Sequence, residues 1–496
     1  MIHARSFRRL VPALTVLFVI SPLSGQSLGA RLNARLDGPG LDRHLWGVAV
    51  TDLDGNLLFG RNADRLFVPA SNTKLVVTAT AAALLGPDFT VNTSIYGTGP
   101  VEGGELRGDL VLYGRGDPTF SLRCYNTDDQ SPGACDADPS AKLRDLARQL
   151  RERGVRRIAG DLVGDGSYFD AETIHPGWEQ YDLNWWYAAP VSGLGFNDNA
   201  IDITIDRADS VGRQPGIGIF PDVGYATIEN RAVIGVEGSR KDFDILREPN
   251  TTRYVATGVV PSGAARQTEH AAVGDPNLFA ADALRDALRD EGIVVLGRVQ
   301  STVDPFDFAL ARGTPALAEV TSRPLRDWLF PILNTSQNWF AEMLLKQLGR
   351  QRGGGGSWHD GLEVERRFLI DSVGIDSTAF ALVDGSGLAS NNLIAPRAFT
   401  QLLAFMRRHP NYEAFAAGLP RSGESGSLRR RFVGTPLEGR VVAKTGTISR
   451  VNTLSGYVER ADGRVLVFSV QANHHTLSSS RMIDAIDAVV GELASP

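Results

Sequence analysis

The sequence predicts a mixed α/β (α+β) protein in which one sheet-and-helix domain, built from both ends of the chain, encloses a mostly β insertion. Three observations predict it. A hairpin pattern lies near the start, a second hairpin followed by a helix closes the chain, and short β-rich runs with turn residues fill the middle.

The first hairpin takes the partly alternating residues 44–51, turns at Asp54-Gly55 and returns through residues 57–60. After Val68-Pro69-Ala70, residues 75–85 are apolar on every side and stop at Gly86-Pro87, the pattern of a helix buried in a core; Ser71 stands at its beginning. From about residue 91 the short runs 108–113, 160–163, 201–205 and 254–260 read as strands. Asp275-Pro276 and the helical run 278–288 mark the return to α/β character. Residues 440–444 then read as a strand, and 454–460 and 465–472 as a hairpin across Asp462-Gly463. Residues 480–493 form a closing helix with Met482, Ile483, Ile486, Val489 and Val490 at core spacing. The expected division is 1–27 as a leader, 28–90 plus 271–496 as the outer domain and 91–270 as the insertion.

With 496 residues, 43% hydrophobic and 22% charged, the chain is long enough for two or three domains and too apolar for disorder. A net charge of −6 without a Lys/Arg-rich run excludes a nucleic-acid footprint. Arg429-Arg430-Arg431, the densest basic cluster, reads as a solvated helix face. Arg5, Arg8 and Arg9 precede an apolar stretch, residues 10–23, broken by Pro12 and Pro22, and Gly25-Gln26-Ser27 offers a small-x-small cleavage site. This is a secretory signal peptide, either removed or retained as an anchor, and it predicts a periplasmic or extracytoplasmic protein. No other stretch is long enough to span a bilayer. In an exported chain the only two cysteines, Cys124 and Cys135, are expected to pair; with no nearby His they are a poor metal site. The eight His are scattered, so no metal or other cofactor is expected.

Three short motifs carry the chemistry: Ser71-Asn72-Thr73-Lys74, Ser336-Gln337-Asn338 and Lys444-Thr445-Gly446-Thr447. Of 51 Lys and Arg residues only five are Lys, and two of those five stand in these motifs. The bias has a chemical meaning, because a guanidinium cannot lose its proton whereas a buried ammonium can. Residues i and i+3 share a helix face, so Lys74 is placed to take the Ser71 proton, with Lys444 as the second cation that lowers its pKa. Ser71 fits a plain helix cap equally well. Ser336 suits a proton relay and Asn338 a hydrogen bond to Lys74 or to a substrate amide, at the start of an amphipathic helix; a Ser/Asn capping pair is the simpler alternative. Lys444 and Thr445, on a strand ending, can hold a carboxylate, and Gly446 permits close backbone approach. A turn leaving a strand is the alternative there. The N–H groups of Ser71 and Thr447 would form an oxyanion hole.

In this order the motifs resemble the signature shared by penicillin-binding proteins and serine β-lactamases. The 265 residues between Ser71 and Ser336, and the 108 between Ser336 and Lys444, resemble the class C low-molecular-mass penicillin-binding proteins, the D-Ala-D-Ala carboxypeptidase/endopeptidases. Gly114-Arg115-Gly116-Asp117-Pro118, Gly177-Trp178-Glu179, Ala189-Pro190-Val191-Ser192-Gly193-Leu194, Asp384-Gly385-Ser386-Gly387-Leu388 and Leu454-Ser455-Gly456-Tyr457-Val458 look like the same family. The resemblance implies a transpeptidase-like, serine β-lactamase-like domain and an acyl-enzyme at Ser71. It further implies Lys74 as proton acceptor, Ser336 and Asn338 as second-motif groups, and Lys444 as carboxylate anchor. Its expected partners are peptidoglycan peptides and β-lactams. The chain departs from the family pattern at Ala389-Ser390, usually Ser-Arg, and at Ser425, commonly Asp. A serine β-lactamase and a catalytically silent peptidoglycan-binding protein are the alternative readings.

Overall fold

The structure, a computed structural model, describes residues 27–120, 138–207 and 209–494. Cys124, Cys135 and the leader up to residue 26 lie outside the described residues. Within them no helix is long and apolar enough to cross a membrane.

Both ends of the chain build one antiparallel sheet from β1 (Leu45–Thr51), β2 (Leu57–Arg61), β3 (Val441–Ile448), β4 (Val451–Glu459) and β5 (Val465–Asn473). Its order is β2-β1-β5-β4-β3, so the N-terminal hairpin joins the C-terminal strands where Leu45 faces Asn473 and Thr51 faces Val467. The sheet is covered on both faces, which is why β4 and β5 read as nearly continuous buried runs. Successive side chains of a strand point to opposite faces. Val467 therefore enters the core of the central helices, while Phe468 enters the core under the terminal helices.

Two helices pack on that second face, α1 (Leu28–Leu36) and the closing α7 (Ser479–Gly491); Leu32, Leu36, Met482 and Ile486 are buried there. The other face carries α2 (Lys74–Leu84), α3 (Leu325–Leu333), α4 (Asn338–Arg352), α5 (Trp358–Arg367) and α6 (Pro396–Arg408). The all-round apolar sequence of α2 matches its place, buried from Lys74 through Ala82. Helix α4 is not the amphipathic helix expected: Trp339 through Gly349 are all buried. Its polar side chains find partners inside the protein, which removes the cost of burying them. Gln347 donates to Arg115 O at 3.0 Å, and Lys346 Nζ reaches Asp170 Oδ1 at 2.6 Å and Glu172 O at 2.5 Å.

The inserted region is built on a five-stranded sheet ordered 299–302, 162–165, 110–113, 92–97 and 318–321. Helices Ala141–Glu152 and Pro276–Asp290 join its core through Leu146, Leu150, Phe279 and Leu284. Strands 299–302 and 318–321 lie beyond the expected boundary at residue 270, yet they pair with 162–165 and 92–97. The layer thus extends to Thr321; residues 91–270 are mostly β, as expected, with one α-helix among the described residues, Ala141–Glu152.

One buried group on α5 has no hydrogen-bond partner at either oxygen, the carboxyl of Glu365. Burial, reinforced by the charges of Glu342 and Asp384, raises its pKa well above the ordinary carboxyl range, so it is held as the neutral acid. An acid raised in this way contributes its full stability below the unfolded-state pKa and loses it as the pH climbs toward the folded value. Glu365→Gln removes that loss. Thermal melts are expected to show no gain in Tm over wild type near pH 4 and a positive gain near pH 8; the same difference at both pH values would refute the neutral buried acid.

Candidate active site

The first motif enters through a 3-10 turn, Ala70–Thr73, that leads into α2. Ala70 is held at φ 48°, a left-handed value costly for a residue with a Cβ. It persists because both sides press on the turn. At Gly387 (φ 80°) an added Cβ would collide with the Ala70 carbonyl, and at Gly446 it would lie 2.7 Å from Pro69 O and 3.0 Å from Ser71 N. Gly446 thus makes room for the backbone of the Ser71 turn itself, as well as for anything bound beside it.

Ser71 is not a helix cap, because neither the turn nor α2 has a side-chain cap and the Ser71 hydroxyl is engaged elsewhere. Lys74 Nζ donates to Ser71 Oγ at 3.0 Å, to Asn338 Oδ1 at 2.7 Å and to Ser386 O at 2.7 Å. Lys74 has no exposed surface. Burial lowers its pKa to about 7, against the opposing pull of Glu342 and Asp384. Of the two causes the sequence suggested, burial and the second cation Lys444, burial is the one that lowers it. An ammonium of this kind is half deprotonated at neutral pH and can take a proton from the hydroxyl 3.0 Å away.

The second motif divides its side chains between the two lysines. Gln337 supplies the cap of α4, its side chain accepting from Trp339 N at 2.6 Å, which leaves Ser336 and Asn338 for the site. Asn338 bonds Lys74 and donates to Tyr187 O at 2.8 Å. Ser336, at φ 66°, accepts from Lys444 Nζ at 2.9 Å instead of meeting Lys74.

Lys444 lies within β3, not at its end, and Nζ also donates to Thr445 O at 2.8 Å. It is fully buried, and burial, aided by the charge of Lys74, holds its pKa well below the usual lysine value. β3 is the edge of the sheet, with Thr445 half-buried and Thr447 exposed. Thr445 Oγ1 donates to Ser427 Oγ at 2.8 Å; Thr447 Oγ1 accepts from Asn452 Nδ2 at 2.9 Å. Of the two departures from the family pattern, Ser425 Oγ accepts from Arg421 N at 3.0 Å within the loop that carries Ser427. Ala389 is buried, its N–H on Asp384 Oδ2 at 2.8 Å.

Three contributors escaped the sequence reading of the site. Asn72, fully buried, has its amide oriented to donate to Lys444 O at 2.8 Å and to accept from Ser455 Oγ at 2.7 Å, tying the Ser71 turn to β3 and β4. Ser386 gives Lys74 a carbonyl. Glu342, on α4, accepts from the N–H groups of Gly385 and Ser386.

Residues 28–493 match the D-Ala-D-Ala carboxypeptidase 3 (S13) family. The chain belongs to that family. A D-alanyl-D-alanine carboxypeptidase of Actinomadura sp. (strain R39) is 34% identical over 96% of this chain and 87% of its own. The D-alanyl-D-alanine carboxypeptidase DacB of Haemophilus influenzae is 25% identical over 85% of this chain and 84% of its own. Among solved structures, penicillin binding protein 4 (dacB) from Haemophilus influenzae has the same fold, with a TM-score of 0.81 at 22% identity over 94% of this chain and 99% of the other.

The crowding at Gly446 predicts the behaviour of one substitution. Gly446→Ala, by displacing Ser71 relative to Lys74, is expected to slow adduct formation with a labelled penicillin about 100-fold while far-UV circular dichroism stays that of wild type. A wild-type rate would show that the turn accommodates the methyl group.

Proposed function

We propose that this D-Ala-D-Ala carboxypeptidase works as a secreted serine enzyme on peptidoglycan stem peptides, in cell-wall synthesis and remodelling, through an acyl-enzyme on Ser71. The observation that carries the reading is the 3.0 Å contact between Ser71 Oγ and a Lys74 amine whose pKa burial has brought to about 7.

In this reading the C-terminal carboxylate of the stem peptide sits against Lys444 and Thr445, at the open edge of β3, where an extended peptide can lie alongside the strand. Ser71 Oγ attacks the carbonyl carbon of the penultimate D-Ala as Lys74 Nζ takes its proton. The oxyanion faces the N–H groups of Ser71 and Thr447. The C–N bond then breaks, and the terminal D-Ala leaves with the proton that Lys74 Nζ had taken. Water hydrolyses the ester, releasing the shortened peptide and restoring Ser71. Cleavage of a cross-link between stems uses the same steps with a larger leaving amine.

Slow rather than rapid turnover of a β-lactam acyl-enzyme is supported by the acids beside the site. Glu342 and Asp384 are buried and their oxygens are occupied by backbone, indole and amide N–H groups, so neither is free to activate a deacylating water.

Intact-mass measurement after incubation with labelled penicillin is expected to show one adduct, absent in Ser71→Ala, and a purified pentapeptide should release free D-Ala. An adduct retained in Ser71→Ala would refute the nucleophile, and rapid sustained nitrocefin turnover would favour a β-lactamase. Since only the neutral amine accepts a proton, the second-order acylation rate should rise with pH through a midpoint near 7 and level off above it. A pH-independent rate from pH 5 to 9 would count against Lys74 as the base.

A further inference from the structure

The loop that gives Lys74 a carbonyl is itself held by one side chain. Glu342 Oε1 accepts from Ser386 N at 2.7 Å, and Oε2 accepts from Gly385 N at 3.0 Å and from Trp358 Nε1 at 2.8 Å. All three partners are donors and favour the carboxylate, while burial and the charge of Asp384 push the Glu342 pKa up to about 7, so the carboxylate prevails as the pH rises through neutrality. On the other side of the same residue, in the next peptide unit, Ser386 O accepts from Lys74 Nζ at 2.7 Å. The Ser386 residue is thus a link, its N–H on the buried Glu342 carboxyl group and its C=O on the lysine. Gly387, whose Cβ would meet Ala70 O, locks the link against the Ser71 turn.

We propose that Glu342 is a positioning residue for acyl transfer: it fixes the Ser386 carbonyl on Lys74 Nζ and places a negative charge where the Ser71 proton arrives. This rests on Ser71 and Lys74 acting as nucleophile and base. The groups facing Lys74 are Ser71 on its own turn, Asn338 and Glu342 on α4, Asp384 and Ser386 on the loop, and Lys444 on β3. Glu342 is faced by Trp358 and Glu365 from α5, by Asp384 from the loop and by Lys346 one turn along α4. Of these carboxyl groups Glu342 alone bonds the Ser386 N–H, so it couples both effects, geometry and charge, to Lys74.

Glu342→Gln offers one acceptor to three donors and removes the charge. With only five lysines, a 13C-lysine-labelled full-length protein allows Lys74 to be followed through a pH titration, in parallel with the pH profile of penicillin acylation. Because the Glu342 charge raises the Lys74 pKa, its loss is expected to move both midpoints to lower pH, by about half a unit or more. The plateau rate should fall about tenfold or more. Glu342→Asp, which keeps the charge on a shorter arm, should retain the wild-type midpoint with a lowered plateau. Equal midpoints in wild type and Glu342→Gln would overturn the proposal whatever the plateau, since a merely structural residue lowers the rate alike at every pH. If the Gln variant does not fold, an Asp variant with unchanged rates at every pH overturns the positioning role by itself. The lysine titration needs no turnover, so a protein forming no Ser71 adduct would refute the acyl-enzyme reading while the Glu342 titration still gave its own answer.

Discussion

Two lysines, Lys74 and Lys444, are buried completely at the junction of α2, α4 and β3, and no carboxylate is hydrogen-bonded to either. Burying an ammonium without a counter-ion is costly, and the protein meets the cost by shifting the proton equilibrium toward the neutral amine. The neighbouring elements answer to that constraint. Ser71, Asn338 and Ser386 O take the three donors of Lys74, and Ser336 and Thr445 O take two of the three on Lys444; these neutral acceptors come from four stretches of sequence. Lys346 shows the contrast. It is equally buried, but it bonds Asp170 and lies 3.8 Å over the Trp358 ring, so it stays a paired structural cation fastening the inserted region to α4. Lys74 and Lys444 are thus set apart by what they lack, a hydrogen-bonded carboxylate.

The inserted region takes part in the site through α4. Asn338, Trp339, Lys346 and Gln347, all on this helix, bond to Tyr187 O, Pro190 O, Asp170 and Arg115 O of the insertion. The residue that bonds Lys74 therefore also bonds the insertion. A disturbance of the 170–190 segment would reach Lys74 through one amide side chain, Asn338, whose oxygen and nitrogen face opposite partners.

Local pattern carried the outer frame of this fold. Period-two alternation, Asp-Gly turns and the all-round apolar run of α2 located the hairpins and the helix behind Ser71, and the rarity of lysine pointed to Lys74 and Lys444. What the sequence hid was pairing at a distance. Residues 299–302 and 318–321 give no local sign that they belong with strands 162–165 and 92–97, so the boundary at residue 270 fell inside a sheet. Glu342 and Lys346 were invisible for a related reason: polar residues on a helix suggest a solvated face, and only the surrounding donors and acceptors make their burial affordable. Asn338 bonds Lys74 as expected, but Ser336 meets Lys444, from a left-handed backbone that no composition argument supplies.

The pairing of β1 with β5 also sets an order in time. A two-stranded hairpin is marginal by itself in water, and β1–β2 acquires its third strand only from residues 465–473. The Ser71 turn leans on Gly446 and Thr453 from the same late-arriving strands. Ser71 and Lys444 are thus made at opposite ends of synthesis, and their junction is a long-range closure of the kind that limits folding rates. A chain that has not yet added residues 441–473 carries Ser71 and Lys74 without Lys444, Gly446 and Thr453, so the surroundings of Ser71 are completed only by the last strands.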